Sequence, residues 1–181
     1  MEMHEKQHRL FFALWPNDKV RAEIKKHFQP YLNKHQAKKV PVHNWHITLA
    51  FLGNVSTQTK QCAQEKADLI HAQAFELQLD KPGFFKRASV VWLGSKACPQ
   101  QLTDLIEQLN KQLAVCGYQA DFEVFIPHMT LLRKAYRSLD LEEFTAINWP
   151  VKEFVLVESV TTEQGARYEV INKWPLGRDP D

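Results

Sequence analysis

Two four-residue stretches of the chain share one alternation of polar and large apolar residues. His46 to Leu49 reads HITL, and His128 to Leu131 reads HMTL. In an extended strand, the side chains of residues i and i+2 point to the same side of the sheet. The pattern therefore predicts two strands. Each presents a histidine and a threonine on one face and buries its apolar residues, including Phe51 after the first motif, on the other face.

Apolar segments elsewhere in the chain predict five further strands. They are Arg9 to Trp15, Phe75 to Leu79, Ser89 to Leu93, Glu153 to Ser159 and Ala166 to Trp174. The first is rich in aromatic residues and is closed by Pro16, which is typical of a buried strand. The Pro82-Gly83 pair predicts a break in the chain, and the segment up to Pro150 is polar and predicts no strand.

Three segments carry apolar residues at helical spacing. The first begins after a cap at Asn17 or Asp18, with Arg21 on its outer face. The second runs from Ser56 to about Gln73, and the third from Pro99 to a stop near Gly117. The predicted order is β-α-β-α-β-β-α-β-β-β, a mixed domain without a glycine-rich phosphate loop. Because a helix precedes each motif strand, we expect two lobes with pseudo-twofold symmetry, facing each other across a central groove.

Composition and charge narrow the class of protein. With 181 residues and 44% apolar content, the whole chain, 1–181, fits a single domain with a substantial core. The net charge of +2 excludes a nonspecific nucleic-acid coat but allows a local basic cleft. No apolar stretch approaches the roughly 20 residues of a membrane span, and the start lacks a signal-peptide core. We therefore expect a soluble, cytoplasmic monomer.

Cysteines and the other histidines give no sign of a metal site. Cys62, Cys98 and Cys116 match no zinc or redox motif, so a reduced, intracellular setting is the simplest interpretation. His43 and His46 would face opposite ways on one strand, and no nearby cysteine or carboxylate completes a site. We expect neither metal nor cofactor. The remaining histidines are expected to be exposed to solvent: His4, His8, His27, His35 and His71.

One imidazole and one hydroxyl per strand, presented twice, suit acid–base chemistry on a phosphate. Histidine, with an ordinary pKa of about 6.5, can accept or donate a proton near neutral pH. Threonine hydroxyls can donate hydrogen bonds to phosphate oxygens on which negative charge develops.

The paired motifs and their surroundings resemble the 2H phosphoesterase superfamily, and within it the RNA 2′,3′-cyclic phosphodiesterases, the 2′-5′ RNA ligase-like proteins. The similar segments are RLFFALWP, WHITLAFLGNV, VVWLG, FIPHMTLLR, EFVLVES and ARYEVINKWPL. The resemblance implies a bilobal α+β fold in which two antiparallel sheets line a central cleft, with helices outside and a pseudo-twofold relation between the lobes. It also implies hydrolysis of RNA 2′,3′-cyclic phosphate ends, with 2′-5′ ligation as the reverse reaction.

Five residues match the functional positions of that family. His46 and His128 match the catalytic histidines, Thr48 and Thr130 the phosphate-binding threonines, and Arg133 an arginine that contacts the phosphate. Strict alternation would place Arg133 on the face opposite His128. It reaches the groove only if the strand twists, bulges or ends before it.

This chain differs from the family at one position, and the acid and base roles of the two histidines need a separate assignment. The family often has arginine before Pro127, where this chain has Ile126, so phosphate binding would rest more on Arg133 or Lys134. The resemblance favours His46 as the acid that protonates O3′ and His128 as the base, which leaves a 2′-phosphate. The residues alone do not assign the two roles.

Substrate contacts and substrate class stay open at the level of sequence. Phe12, Trp45, Trp92 and Tyr168 could each stack on a nucleobase or belong to the core. Phe12 is the preferred stacking candidate, because its strand is expected beside a motif strand. Other 2H substrates, such as a 2′-5′ oligonucleotide or a small cyclic nucleotide, fit the motifs equally well. A non-catalytic RNA-end-binding module fits less well, because it needs no paired proton-transfer groups.

Overall fold

A computed structural model describes residues 4–121 and 124–177 of the chain. Within these residues there are ten strands and three α-helices. The strands are β1 (Gln7–Leu14), β2 (Lys38–Lys39), β3 (Ile47–Ser56), β4 (Phe75–Leu79), β5 (Lys81–Phe85), β6 (Val90–Gly94), β7 (His128–Arg133), β8 (Ile147–Val151), β9 (Glu153–Thr162) and β10 (Gly165–Pro175). The helices are α1 (Asp18–Lys34), α2 (Thr57–Ala67) and α3 (Gln100–Ala114), and a 3₁₀ turn covers Val42–Asn44.

One antiparallel sheet of eight strands carries both motif strands. Its order is β10-β9-β1-β3-β7-β6-β5, and the short β2 also pairs with β7. β3 and β7 meet through a single residue pair, Ile47 opposite Met129, so the two halves of the sheet join at the motifs themselves. A second sheet consists of β4 and β8. The predicted α+β class with two antiparallel sheets is confirmed.

The helices bury the faces that the apolar pattern predicts. All five members of the α3 stripe are buried: Leu102, Leu105, Ile106, Leu109 and Leu113. The side chain of Asn17 caps α1 by accepting a hydrogen bond from the backbone N–H of Val20 at 3.0 Å. None of the helices in the described ranges is long and apolar enough to cross a membrane.

The same irregularity interrupts both motif strands. The register of β3 against β1 skips Leu49, and that of β7 against β6 skips Leu131. Each skipped residue is a β-bulge, which shifts the following residues to the other face. Phe51 and Arg133 therefore return to the face of the histidine and threonine. The prediction that Phe51 is buried is wrong, because 44% of it is exposed. We expect Arg133 to reach the groove only if its strand twists, bulges or ends before it. The bulge at Leu131 meets this condition.

Three strands, β2, β5 and β8, are not among the seven predicted from the sequence, and one helix end differs. β5 contains the Pro82-Gly83 pair, which fits because β5 is an edge strand and needs fewer N–H donors. Gly83 also makes room for the ring of Trp92, which would lie 2.1 Å from an added Cβ. β8 contains Pro150 and is likewise an edge strand.

The second helix ends at Ala67 rather than near Gln73. Beyond it, the backbone of His71 exchanges two hydrogen bonds with the side-chain amide of Gln108 on α3, at 3.0 and 2.8 Å. These contacts require the chain to leave the helix and run beside α3.

The expectation that all three cysteines are reduced is wrong for two of them. Cys62 of α2 and Cys116, just beyond α3, form a disulfide, while Cys98 is free and exposed. The two helices contact each other, which brings together cysteines that are 54 positions apart in the sequence. No spacing rule could reveal this pairing, because it depends on helix packing.

Two histidines expected at the surface are instead buried. His8 is 4% exposed and lies between Glu158, at 2.5 Å, and the hydroxyl of Thr57, at 3.1 Å. His35 is 5% exposed, and its Nδ1 accepts the backbone N–H of Ala37 at 3.1 Å. Both positions are tolerated because each ring has polar partners within the protein.

Loss of the disulfide should lower stability without affecting the cleft. We expect Cys62→Ala to reduce the free energy of unfolding by about 2–4 kcal/mol, because the bond restricts the unfolded chain over a long loop. Urea unfolding of the oxidised variant and wild type measures the difference. The matched control is Cys98→Ala, which removes an exposed free thiol and should leave stability nearly unchanged. Equal midpoints for the two variants would contradict the disulfide.

Candidate active site

Both motifs open onto one cavity of about 420 Å³. The lining includes the five residues predicted from the sequence: His46, Thr48, His128, Thr130 and Arg133. It also includes Lys38 and Lys39, which lie outside the motifs and outside every strand predicted from the sequence. They reach the cavity because β2 pairs with the end of β7, placing Lys38 opposite Arg133.

Backbone carbonyls set the orientation of both histidines. Nδ1–H of His46 donates to the carbonyl of Asn44 at 2.7 Å, and Nδ1–H of His128 donates to the carbonyl of Ile126 at 2.8 Å. This tautomer leaves Nε2 of each ring unprotonated in the neutral form. Nε2 of His46 accepts a hydrogen bond from the hydroxyl of Thr48 at 3.0 Å. Nε2 is thus the nitrogen that each histidine can use on a bound molecule.

Aromatic rings enclose His46. Phe11 and Trp15 stack on it, with ring centroids 4.8 and 5.5 Å away, and Tyr168 meets it edge-on at 5.5 Å. Phe85 and Trp92 meet His128 edge-on, at 5.1 and 6.1 Å. The stacked rings restrict the motion of the His46 imidazole and keep water from its faces.

Burial lowers the pKa of His46 to about 4. The positive charges of Arg133, Arg21 and His128 lower it further, while the hydrogen bond to the Asn44 carbonyl acts in the opposite direction. His46 is therefore neutral at pH 7 in the free protein. A phosphate anion in the cavity would offset these cations and favour protonation of the ring.

Arg21 contacts two groups that hold His46 in place, although the sequence predicts Arg21 on the outer face of α1. It is only 8% exposed, and its guanidinium lies 5.2 Å from the ring of Trp15, which stacks on His46. It also donates to the carbonyl of Val42, the first residue of the turn whose Asn44 carbonyl holds His46. Arg21 thus acts on the His46 imidazole indirectly in two ways, through the ring of Trp15 and through the turn that carries Asn44.

The apolar pattern of α1 contains a signal for the burial of Arg21. Ile24 and Phe28, three and seven positions further on, are both buried, and residues at this spacing share one helix face. A charged residue on the apolar stripe of a helix is a candidate for a buried functional role.

Phe12 is not at the cavity, and this prediction is wrong. It is fully buried and packs against Phe154 and Trp174, with centroids 6.2 and 5.7 Å away. Because residues alternate along β1, its neighbour Phe11 faces the site instead. Of the other stacking candidates, Trp45 and Trp92 are buried, and only Tyr168 is half-buried and lines the cavity. Lys134 follows the strand at a φ of 55° and does not line the cavity.

The sequence model of the 2′-5′ RNA ligase superfamily matches residues 16–163, which include both motifs. The chain belongs to this superfamily. A protein from Escherichia coli K12, named RNA 2′,3′-cyclic phosphodiesterase, is 35% identical over 174 residues, covering 93% of this chain and 96% of its own. A protein of the same name from Methanocaldococcus jannaschii is 28% identical, covering 92% of this chain and 99% of its own.

The fold is also similar to that of a solved structure, E. coli LigT. Its crystal structure complexed with 3′-AMP superposes with a TM-score of 0.88 at 32% identity. The match covers 96% of this chain and 100% of LigT.

In the described part of the chain, no group of three or more His, Cys, Asp or Glu side chains is placed to hold a metal ion.

Removal of the Arg21 charge should raise the pKa of His46. We expect Arg21→Met to move this pKa upward from about 4, because a nearby positive charge disfavours the protonated ring. NMR titration of the His46 ring protons in the free protein measures it. Lys25→Met, which removes an exposed charge from the same helix, is the control and should leave the His46 pKa in place. Arg21→Lys keeps the charge and should restore part of the depression.

Proposed function

We propose that this protein hydrolyses RNA 2′,3′-cyclic phosphate ends to 2′-phosphomonoesters by acid–base catalysis, without a metal. The observation that carries the proposal is that both motifs line one cavity, and a backbone carbonyl holds Nδ1 of each histidine so that Nε2 is the nitrogen available for proton transfer. Membership of the superfamily and the name shared by the relatives support the same activity. RNA ends bearing the cyclic phosphate are accordingly the proposed partners.

Hydrolysis needs one proton removed from water and one delivered to the leaving ribose oxygen. In the proposed scheme His128 takes the proton from water as its oxygen bonds to phosphorus. His46 protonates O3′ as the P–O3′ bond breaks. Thr48 and Thr130 donate hydrogen bonds to the nonbridging oxygens, and Arg133 contributes a positive charge. The groups required by an in-line displacement are then all supplied by side chains.

The low pKa of His46 makes its protonation depend on the substrate. An acid must carry its proton at the start of the reaction, whereas His46 is neutral in the free protein at pH 7. The negative charge of the bound phosphate opposes the positive charges of Arg133 and Arg21, so the proton is taken up together with the substrate. Substrate binding and activation of the acid are thereby coupled.

A second, mostly apolar cavity of about 290 Å³ adjoins the first and shares Thr48, Phe85 and His128 with it. Phe51 and Ile126 line it, and they are 44% and 48% exposed. We propose that the terminal nucleobase lies here, because exposed apolar side chains next to a phosphate site suit a base. Ile126, at the position where the family often has arginine, then contacts the base rather than the phosphate.

We further propose that the chain, 1–181, works as one domain with two lobes, as a monomer in the cytoplasm. The order of buried and exposed residues from His46 to Phe51 is the same as that from His128 to Arg133, which supports two related lobes. The Cys62–Cys116 disulfide bears on the compartment, because the cytosol keeps most thiols reduced. Thiol trapping in intact cells tests whether this bond persists there.

The same groups could serve related reactions. Run in reverse, they would join a 2′,3′-cyclic end to a 5′-hydroxyl and form a 2′-5′ linkage, but hydrolysis dominates unless that hydroxyl is held in place of water. A 2′-5′ oligonucleotide or a small cyclic nucleotide remains the alternative substrate. A non-catalytic RNA-end-binding module is the third reading, and measurable turnover excludes it.

The two histidines should act as a unit. We expect His46→Ala and His128→Ala each to reduce the hydrolysis rate by about 10²–10⁴-fold, with the double variant little worse than the poorer single one. Steady-state kinetics on an oligonucleotide with a 2′,3′-cyclic end measure this effect. His43→Ala, an exposed histidine three positions before His46, is the control and should keep the wild-type rate. Wild-type turnover in either motif variant would remove that residue from the mechanism.

Activity should survive removal of divalent ions. We expect the rate to be unchanged after dialysis against EDTA, because the histidines and Arg133 supply the proton transfers and the positive charge. The assay is the same cyclic-phosphate hydrolysis, with added Mg²⁺ or Mn²⁺ in parallel reactions. A rate lost with EDTA and restored by one of these ions would exclude the proposed mechanism.

The position of the product phosphate tests the proposed function directly. If His46 lies beside O3′ and His128 holds the water opposite, the product is a 2′-phosphomonoester with a free 3′-hydroxyl. Phosphorus NMR of the treated oligonucleotide identifies the terminus. A 3′-phosphate would mean that the two roles, or the orientation of the substrate, are reversed. No product at all would refute the activity.

A further inference from the structure

A third, polar cavity of about 170 Å³ lies beside the motifs and brings two arginines together. Arg9 of β1 and Arg133 of β7 both line it, with Ser159 of β9. It shares His46, Thr48 and Arg133 with the large cavity, so the two adjoin. A molecule that places a phosphate at the motifs can therefore extend to Arg9.

The register of the sheet holds Arg9 at a set distance from the catalytic groups. Arg9 and Phe11 lie two positions apart on one face of β1, roughly 7 Å along the strand. The ring of Phe11 stacks on His46 at 4.8 Å. Arg9 is paired across the sheet with Ser159, which is paired in turn with Tyr168. A guanidinium, an aliphatic hydroxyl and a phenol thus form one row beside the site.

Arg133 has a counterpart in the first motif strand, but that counterpart carries no charge. Phe51 occupies the position after the bulge of β3 that Arg133 occupies in β7. The guanidinium of Arg9 lies over the ring of Phe51, 4.9 Å from its centroid. The neighbouring strand β1 thereby supplies a cation that the motif strand lacks.

Neither arginine is neutralised within the described part of the chain. No ion pair there involves Arg9 or Arg133. Glu158, the neighbour of Ser159 in sequence, is paired with His8 and Lys60 instead. Two unpaired guanidinium groups on one cavity repel each other, and bound anions relieve that repulsion. A cyclic phosphate diester carries one negative charge, which Arg133 already meets at the motifs, so Arg9 is left for a second anion.

We propose that Arg9, with the hydroxyl of Ser159, binds the phosphate on O5′ of the terminal nucleotide, the one that joins it to the rest of the RNA. This inference rests on the proposed function. In RNA that ends in a 2′,3′-cyclic phosphate, the nearest second phosphate is the one on O5′ of the same ribose. The protein then binds two successive phosphates, one at the motifs and one at Arg9. It therefore favours an RNA end over a nucleoside cyclic phosphate.

Three substrates that share one reacting group test the proposal. They are cytidine 2′,3′-cyclic phosphate with a free 5′-hydroxyl, the same nucleotide with a 5′-phosphate, and the dinucleotide CpC ending in a 2′,3′-cyclic phosphate. We expect wild type to have a higher kcat/KM for both substrates that carry the 5′ phosphate. Arg9→Met should cut that advantage about tenfold, in line with loss of one charged hydrogen bond. Its kcat/KM for the 5′-hydroxyl substrate should stay within about twofold of wild type, which also shows that the variant is folded.

Matched variants separate a phosphate contact from a general effect of charge. Arg167→Met removes an arginine that pairs with Glu169 at 2.6 Å and lines none of the three cavities, so it should preserve the advantage. Arg9→Lys should retain part of it. Ser159→Ala should reduce it by less than Arg9→Met, because a neutral hydrogen bond is weaker than a charged one.

Several results would contradict the proposed binding of the O5′ phosphate by Arg9 and Ser159. Equal kcat/KM for the three substrates in wild type would do so, as would an equal loss on all three in Arg9→Met. A higher kcat/KM for the nucleotide with a 5′-phosphate, but not for the dinucleotide, would contradict binding of an RNA end. In the dinucleotide this phosphate is a diester. If wild type hydrolyses none of them, the proposed function fails separately. Calorimetric binding of cytidine 2′-phosphate with and without a 5′-phosphate, to wild type and Arg9→Met, then decides the subsite without turnover.

Discussion

One extra residue directly after the threonine of each motif determines which side chains face the cleft. Without the bulges at Leu49 and Leu131, strict alternation would turn Phe51 and Arg133 to the face opposite the histidines and threonines. Each bulge interrupts the hydrogen-bonded ladder, and the two consecutive apolar residues that it places in the core offset this cost. The geometry of the cavity therefore depends on core packing behind it as much as on the polar residues inside it.

The environment of His46 shows how the fold sets the chemistry of a group that sequence can only name. Stacked rings of Phe11 and Trp15 and the nearby cations favour the neutral imidazole, whereas the carbonyl of Asn44 fixes its tautomer. Arg21 contributes to the ring support, the turn and the charge. An imidazole in this environment is unprotonated until an anion binds in the cavity, and under the proposed role of His46 as acid this would link substrate binding to reactivity.

The cations of the cleft come from distant parts of the chain. Arg9 lies on β1, Lys38 on β2 and Arg133 on β7, and the sheet order places these strands around the motifs. A chain with a net charge of only +2 can therefore still present a basic cleft. The positive charge is gathered by topology rather than by a run of basic residues, and this is why overall charge gave little indication of a nucleic-acid partner.

The amino-acid pattern by itself determined the features that depend on local periodicity. The two His-x-Thr strands, the buried stripe of α3 and the α+β class all follow from alternation and helical spacing, and the resemblance added the family. The tertiary structure alone decided what depends on distant partners. The bulges arise from pairing with β1 and β6, and the Cys62–Cys116 bond from contact between α2 and α3. Phe12 points into the core because β1 presents its other face to the site. A sequence records which side chains alternate, but the packing of neighbouring strands and helices decides where the alternation shifts and which face is buried.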